Sequence, residues 1–171
     1  MTTAGTRDTD WESVASEILS CLRAGRSQQK LARLLEYRSN VASNWERGRR
    51  FPTATRTLVI CELLGVEVSW VMSAFAPGCA SSLGGRTAST LKLAAWLNAL
   101  RGDVPIAALA RASGLSRHAL SRCLSGAAQP RLPRFLQLVE TVTGRAYELT
   151  RELVPGMPGG QVAGLKARRR A

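Results

Sequence analysis

Few side chains in this sequence could do covalent or metal chemistry, and their spacing suits neither. Cys21, Cys61, Cys79 and Cys123 are widely separated with no CxxC pair, and His118 is the single histidine. Structural zinc takes four ligands in close sequence pairs, so no metal is expected. There is no GxSxG nucleophile elbow, no GxxxxGK[ST] phosphate loop and no HExxH pair. The 12 carboxylates are scattered, several beside arginine. An enzyme is not expected, nor is a cofactor. What the chain carries in excess is cation: 24 Lys+Arg against 12 Asp+Glu, a net charge of +12. Ten cations meet eight acids in residues 1–76, ten meet four in 77–154, and four meet none in 155–171. This balance suits a polyanionic partner, because each phosphate neutralised releases condensed counterions. The plainer alternative is a soluble protein that uses arginine freely.

The elements that would position these cations are helices. Of 171 residues 45% are apolar but only 5% aromatic, and Ala, Leu and Arg dominate, which favours helix over sheet and predicts an all-α protein. One segment occurs twice. Residues 22–65 and 100–143 align without gaps at an offset of 78 with eleven identities, among them Leu31/Leu109, Ala32/Ala110, Gly48/Gly126 and Pro52/Pro130. Two copies are too few for a solenoid, which needs about three repeats to cover its core, so each copy is read as its own small domain.

Asp10 caps a predicted helix over 11–24, in which Trp11, Val14, Ala15, Ile18, Leu19 and Leu22 follow helical spacing. Ser27 caps a second over 28–36, a third covers 39–48 up to Gly48, Thr53 opens a fourth to about Leu64, and a short fifth spans 69–75. The second copy repeats the order over 91–101, 105–113, 117–125 and the stretch after Pro130, with a last turn over 146–154. Between them, residues 77–89 are rich in Gly and Ser and predict a flexible linker; 155–171 predict a disordered basic tail. The predicted organisation is therefore domain 1 over 10–76, linker 77–89, domain 2 over 90–154 and tail 155–171.

The two central helices of each copy obey the constraints of a helix-turn-helix. Ala32 and Ala110 fall where the helices cross; four residues on comes the turn, Glu36 in copy one and Gly114 in copy two. Tyr37 and Leu115 plug the turn, and Ala42 with Trp45, and Leu120 with Cys123, face inward. Glu46 is expected in a local ion pair or cap, and Leu124 is expected to be exposed.

The string SQQKLARLLEYRSNVASNWERGRRFPTA resembles the lambda-repressor-like, or xenobiotic-response-element, family of helix-turn-helix domains, with Gln, Leu-Ala, a hydrophobic turn, Ser-x-Trp-Glu-x-Gly and a following Pro in register. Copy two is similar but lacks the Trp-Glu pair, having Cys123 and Leu124. The resemblance implies two small bundles whose third helices enter the major groove of double-stranded DNA. The reading positions it implies are Arg38, Ser39, Asn40, Ser43 and Asn44 in copy one, and Arg117, His118, Ser121 and Arg122 in copy two. Asn pairs with adenine N6 and N7, and Arg with guanine O6 and N7. Gln28, Gln29, Arg47, Arg49 and Arg50 are expected by phosphates, with Arg111, Arg131 and Arg134 as counterparts in copy two.

The leading expectation is a sequence-specific transcriptional regulator in which two tethered domains read two half-sites. The alternative gives DNA to copy one and homodimerisation or a protein partner to copy two, favoured by the missing Trp-Glu pair and an exposed Leu124. A third reading is nonspecific, charge-driven binding to the nucleoid. The amino terminus has no apolar core of a signal peptide and no run approaches about 18 apolar residues, so no membrane association is expected. A cytoplasmic, nucleoid-associated protein with reduced thiols is the expectation.

Overall fold

The computed structural model describes residues 9–23, 25–76, 89–154 and 157. All but the last residue of the expected linker, and all but Met157 of the expected tail, lie outside the described residues. The described chain is all-helical, with the same five-helix order twice: α1 (Trp11–Arg23), α2 (Gln28–Leu34), α3 (Val41–Glu46), α4 (Ala54–Leu63) and α5 (Val68–Phe75), then α6 (Thr90–Arg101), α7 (Ile106–Ser113), α8 (Arg117–Leu124), α9 (Leu132–Thr143) and α10 (Ala146–Leu153).

Side-chain caps open five of these ten helices. The Asp10 carboxylate accepts from Ser13 N at 3.2 Å and from Ser13 Oγ at 2.8 Å. Ser27, Thr53, Ser89 and Ser116 each accept from the amide three residues on. Each bond satisfies an amide that the first helical turn leaves without a partner. Ser89, expected to end the linker, is thus the N-cap of α6. Helix α2 stops two residues short of the expected end because Glu36 lies at φ 59°, the left-handed region that Gly114 occupies at φ 70° in copy two. Tyr37 N then donates to Ala32 O at 2.8 Å, closing the chain into the turn. Helix α3 begins at Val41, two residues later than expected.

The two copies pack against each other. Val14, Ile18, Leu58 and Met72 of copy one belong to one buried cluster with Leu93, Trp96, Phe135, Leu136, Leu149 and Leu153 of copy two. Helix α1 packs on α9, α4 on α9 and α5 on α10. Trp96 Nε1 donates to Met72 O at 2.8 Å, the Trp11 and Tyr147 rings meet at 5.5 Å, and the Arg145 guanidinium lies 4.5 Å from the Phe75 ring centre. A smaller cluster of Leu109, Ala110, Leu120 and Leu138 holds α7 and α8 to α9. The expectation of two bundles connected only by a tether is corrected here: buried leucines and aromatics from both copies complete each other's core.

The seam is reciprocal. Ala54 N donates to Pro130 O at 2.8 Å and Leu132 N donates to Pro52 O at 3.0 Å, flanking an antiparallel bridge between Thr53 and Arg131. Replacing each partner by its equivalent in the other repeat, Ala54 by Leu132 and Pro130 by Pro52, turns one bond into the other. Thr53 (φ −67°, ψ 158°) and Arg131 (φ −68°, ψ 155°) also share one backbone conformation. The exchange is local to the 52–54 and 130–132 segments, since α1 packs closely on α9 whereas its equivalent α6 does not pack as closely on α4.

Candidate nucleic-acid interface

In copy one, helix α3 is fixed from beneath. Ala42 and Trp45 are buried, and Trp45 meets the Tyr37 ring edge-on with centroids 5.7 Å apart. Ser16 Oγ donates to Trp45 O at 3.2 Å. Arg56, from α4, locks the turn from outside α3: Nη2 donates to Leu35 O at 2.9 Å, Nε to Tyr37 Oη at 3.0 Å, and the guanidinium lies 5.0 Å from the Tyr37 ring centre. With that face committed, Arg38, Ser39 and Asn40 are exposed and Ser43 and Asn44 half-buried, all within or just before α3.

A polar chain runs from α1 to the start of α3. Arg23 Nε pairs with Glu46 Oε1 at 2.7 Å, Gln28 Nε2 donates to Glu46 Oε2 at 2.8 Å, and Asn40 Nδ2 donates to Gln28 Oε1 at 3.1 Å. Glu46, expected in a local ion pair or cap, pairs instead with Arg23, 23 residues away on α1. Both ends of the Gln28 carboxamide are engaged, so Gln28, expected beside phosphate, sits half-buried as a bracket between Glu46 and Asn40. Asn40 makes no cap to α3; this bond holds its carboxamide instead, leaving Oδ1 and one N–H, the pair that adenine N6 and N7 require. Gln29 is exposed beside it.

After α3, Gly48 adopts φ 68° and both Arg49 N and Arg50 N reach Asn44 O, at 3.0 and 3.4 Å. The turn displays Arg47, Arg49 and Arg50 to solvent and buries Phe51 and Pro52 against the core.

Copy two builds the same frame with other contacts. Leu109 and Ala110 are buried at the crossing, and Gln137 Nε2 donates to Ser113 O at 2.6 Å to brace the turn from α9. Arg117, His118, Ser121 and Arg122 are exposed on α8, and Arg111 is exposed on α7. Two expectations are corrected. Leu124 is buried, 8% exposed, while Cys123 is only half-buried. The inward stripe is Leu120 and Leu124, four apart, whereas copy one uses Ala42 and Trp45, three apart; an apolar residue at 124 in place of an acid draws that position into the core. Asn98 Nδ2 then donates to Leu124 O at 2.6 Å, anchoring α8 to α6 where copy one uses the Arg23–Glu46 pair.

Arg131, expected by phosphate, is exposed. It stands on the seam, its Nη1 donating to Phe51 O at 2.7 Å. Its equivalence to Thr53 by the offset of 78 was the available signal. Arg134 is exposed and lines an open cleft of about 540 Å³ with Asp10, Trp11, Leu115 and Gln137. Sequence reasoning missed the roles of Arg23 and Arg56, although Arg23/Arg101 and Arg56/Arg134 are among the repeated residues.

Burial pushes the Cys61 thiol up to about 12 and raises Cys21 and Cys123 in the same direction, so the three thiols stay protonated at neutral pH. Among the described residues, no three His, Cys, Asp or Glu side chains gather as a metal site, and no helix is long and apolar enough to cross a membrane. No protein-family model, curated protein or solved structure matches this chain.

Proposed function

We propose that this protein is a sequence-specific regulator of transcription that binds double-stranded DNA, with α3 and α8 in the major groove. The observation that carries this reading is the α2–turn–α3 unit. Its inner face is fully spent on Ala42, Trp45, Tyr37 and Arg56, while Arg38, Ser39 and Asn40 remain outward with Asn40 braced by Gln28. Side chains braced from behind are suited to reading base edges, and the exposed Arg47, Arg49 and Arg50 to holding phosphates. Copy two supports the same reading through exposed Arg117, His118, Ser121 and Arg122. The alternative, in which copy two docks a protein, loses the exposed Leu124 on which it leaned.

In vitro selection from a random duplex pool, at near-physiological salt, tests this reading. Enrichment of defined sequences supports it; retention without enrichment assigns nonspecific, charge-driven binding, and no retention overturns DNA binding. With a selected duplex in hand, Asn40→Ala should cost about 1–3 kcal/mol and blur one base, whereas Arg49→Ala should weaken all sequences alike.

A further inference from the structure

We infer that the cleft between the ends of α1, α4 and α10 and the start of α5 is a binding site for a small organic cation with a flat apolar body. The inference does not rest on the DNA-binding reading: none of α2, α3, α7 and α8 contributes a residue to this cleft.

The cleft holds about 420 Å³, within the range of sites that take small-molecule ligands. Leu22, Val71 and Val154 are buried and give it an apolar floor. Trp70 stands beside them 66% exposed, the one aromatic ring left largely uncovered among the described residues. A flat ring stacks on an uncovered indole, and an indole face is the best aromatic partner for a cation.

Charge selects the occupant. Two carboxylates, Glu67 and Glu152, and one guanidinium, Arg26, line the cleft, so its side chains are net negative in a protein of net charge +12. Glu67 stands at the N-cap of α5 but makes no side-chain cap there. The ion pairs among the described residues are Arg23–Glu46 and Arg145–Glu148, and neither uses Glu67, Glu152 or Arg26. The backbone adds charge of the same sign. Helices α1, α4 and α10 end at the cleft and only α5 begins there, and each helix C-terminus carries about half a negative charge against about half a positive charge at an N-terminus. A ligand with one positive charge neutralises this site, whereas an anion meets two carboxylates and three C-termini.

Position gives the site a consequence. Helices α1, α4 and α5 belong to copy one and α10 to copy two, so one occupant touches both copies and stabilises the folded arrangement that holds them together.

The test uses the full chain and three probes with one ring system and three charges: 2-naphthylmethylammonium, 2-naphthylmethanol and 2-naphthoate. Saturation-transfer NMR reads binding, and the thermal midpoint reads stabilisation. Nonspecific attraction to a protein of net charge +12 favours the anion, so a preference for the cation reports the local charge of the cleft. The ammonium should bind about tenfold more tightly than the alcohol, with naphthoate weakest, and should raise the thermal midpoint. Glu67→Gln and Glu152→Gln, both at exposed positions, should each lower affinity for the ammonium by about threefold to tenfold and leave the alcohol unchanged. Trp70→Ala should weaken ammonium and alcohol alike by about tenfold, with helix content by circular dichroism unaltered. Absence of saturable binding at about 1 mM, tightest binding by naphthoate, equal affinity for alcohol and ammonium, or full ammonium affinity in Trp70→Ala or in both Gln variants would each overturn the inference. Affinity that falls as protein concentration rises, with a doubled mass by light scattering, would assign the cleft to a second copy and overturn it as well. Duplex selection is read separately, so failure here leaves the DNA-binding reading standing.

Discussion

Thr53 and Arg131, 78 residues apart and equivalent in the two repeats, lie opposite each other as an antiparallel backbone pair, and the hydrogen bonds on either side of them exchange partners between the copies. A reciprocal contact between the repeats has thus been built inside a single polypeptide. Pro130, whose carbonyl takes the Ala54 amide, is buried, so the bond has no water to replace it.

That makes Ala54→Pro a selective probe. Proline is tolerated at the first position of a helix, and Thr53, at ψ 158°, already has the extended conformation that a following proline demands. The substitution should keep helix content while costing about 1–3 kcal/mol for the unsatisfied Pro130 carbonyl. Urea melts followed by circular dichroism would register this as a lower midpoint in one cooperative transition. Two separate transitions in the parent protein would mean that the copies unfold independently.

The turn between α2 and α3 offers a paired test. A non-glycine residue in the left-handed region costs about 1–2 kcal/mol, offset in part by the chain freedom that glycine loses on folding. Glu36→Gly should therefore stabilise by up to about 1 kcal/mol, and Gly114→Ala, at φ 70°, should destabilise by about as much. Opposite shifts in thermal midpoint are the expected pattern.

Glu46 connects stability to recognition. Its carboxylate holds Arg23 and Gln28, and Gln28 holds Asn40. Glu46→Ala should cost about 1 kcal/mol, discounted for partial exposure of the pair. It should also weaken discrimination at the base read by Asn40 with little change elsewhere in the half-site. Affinity for single-base variants of the selected duplex measures this, and unchanged discrimination would show that Asn40 holds its orientation without the bracket.

Cys61 sets a pH response of defined sign. Burial raises its folded value from 9.0 to about 12, so the protonated thiol belongs to the folded state. Stability from this group is full below about pH 9 and declines as pH rises toward 12. Thiol reagents at pH 8 should leave Cys61 unmodified until the protein unfolds, and Cys61→Ala should flatten part of the alkaline loss in a series of urea melts.

By itself the sequence determined the helices and their order in the two repeats. Caps such as Asp10, Ser27, Thr53 and Ser116 act within three residues, and apolar spacing acts within one helix, so both are written locally. The repeat made the second frame legible from the first. The candidate reading residues were implied by the family resemblance, and the register of the buried stripe explains why Arg38, Ser39, Asn40, Arg117 and His118 are exposed. The tertiary structure alone decided what those residues are tied to and how the copies meet. Gln28 is a bracket, Arg131 a seam residue and Leu124 a core residue because each answers to a partner between 18 and 80 residues away, or to a core shared by both copies. Burial against a distant neighbour leaves no mark in local periodicity, and a reciprocal contact between repeats exists only once both copies are folded against each other.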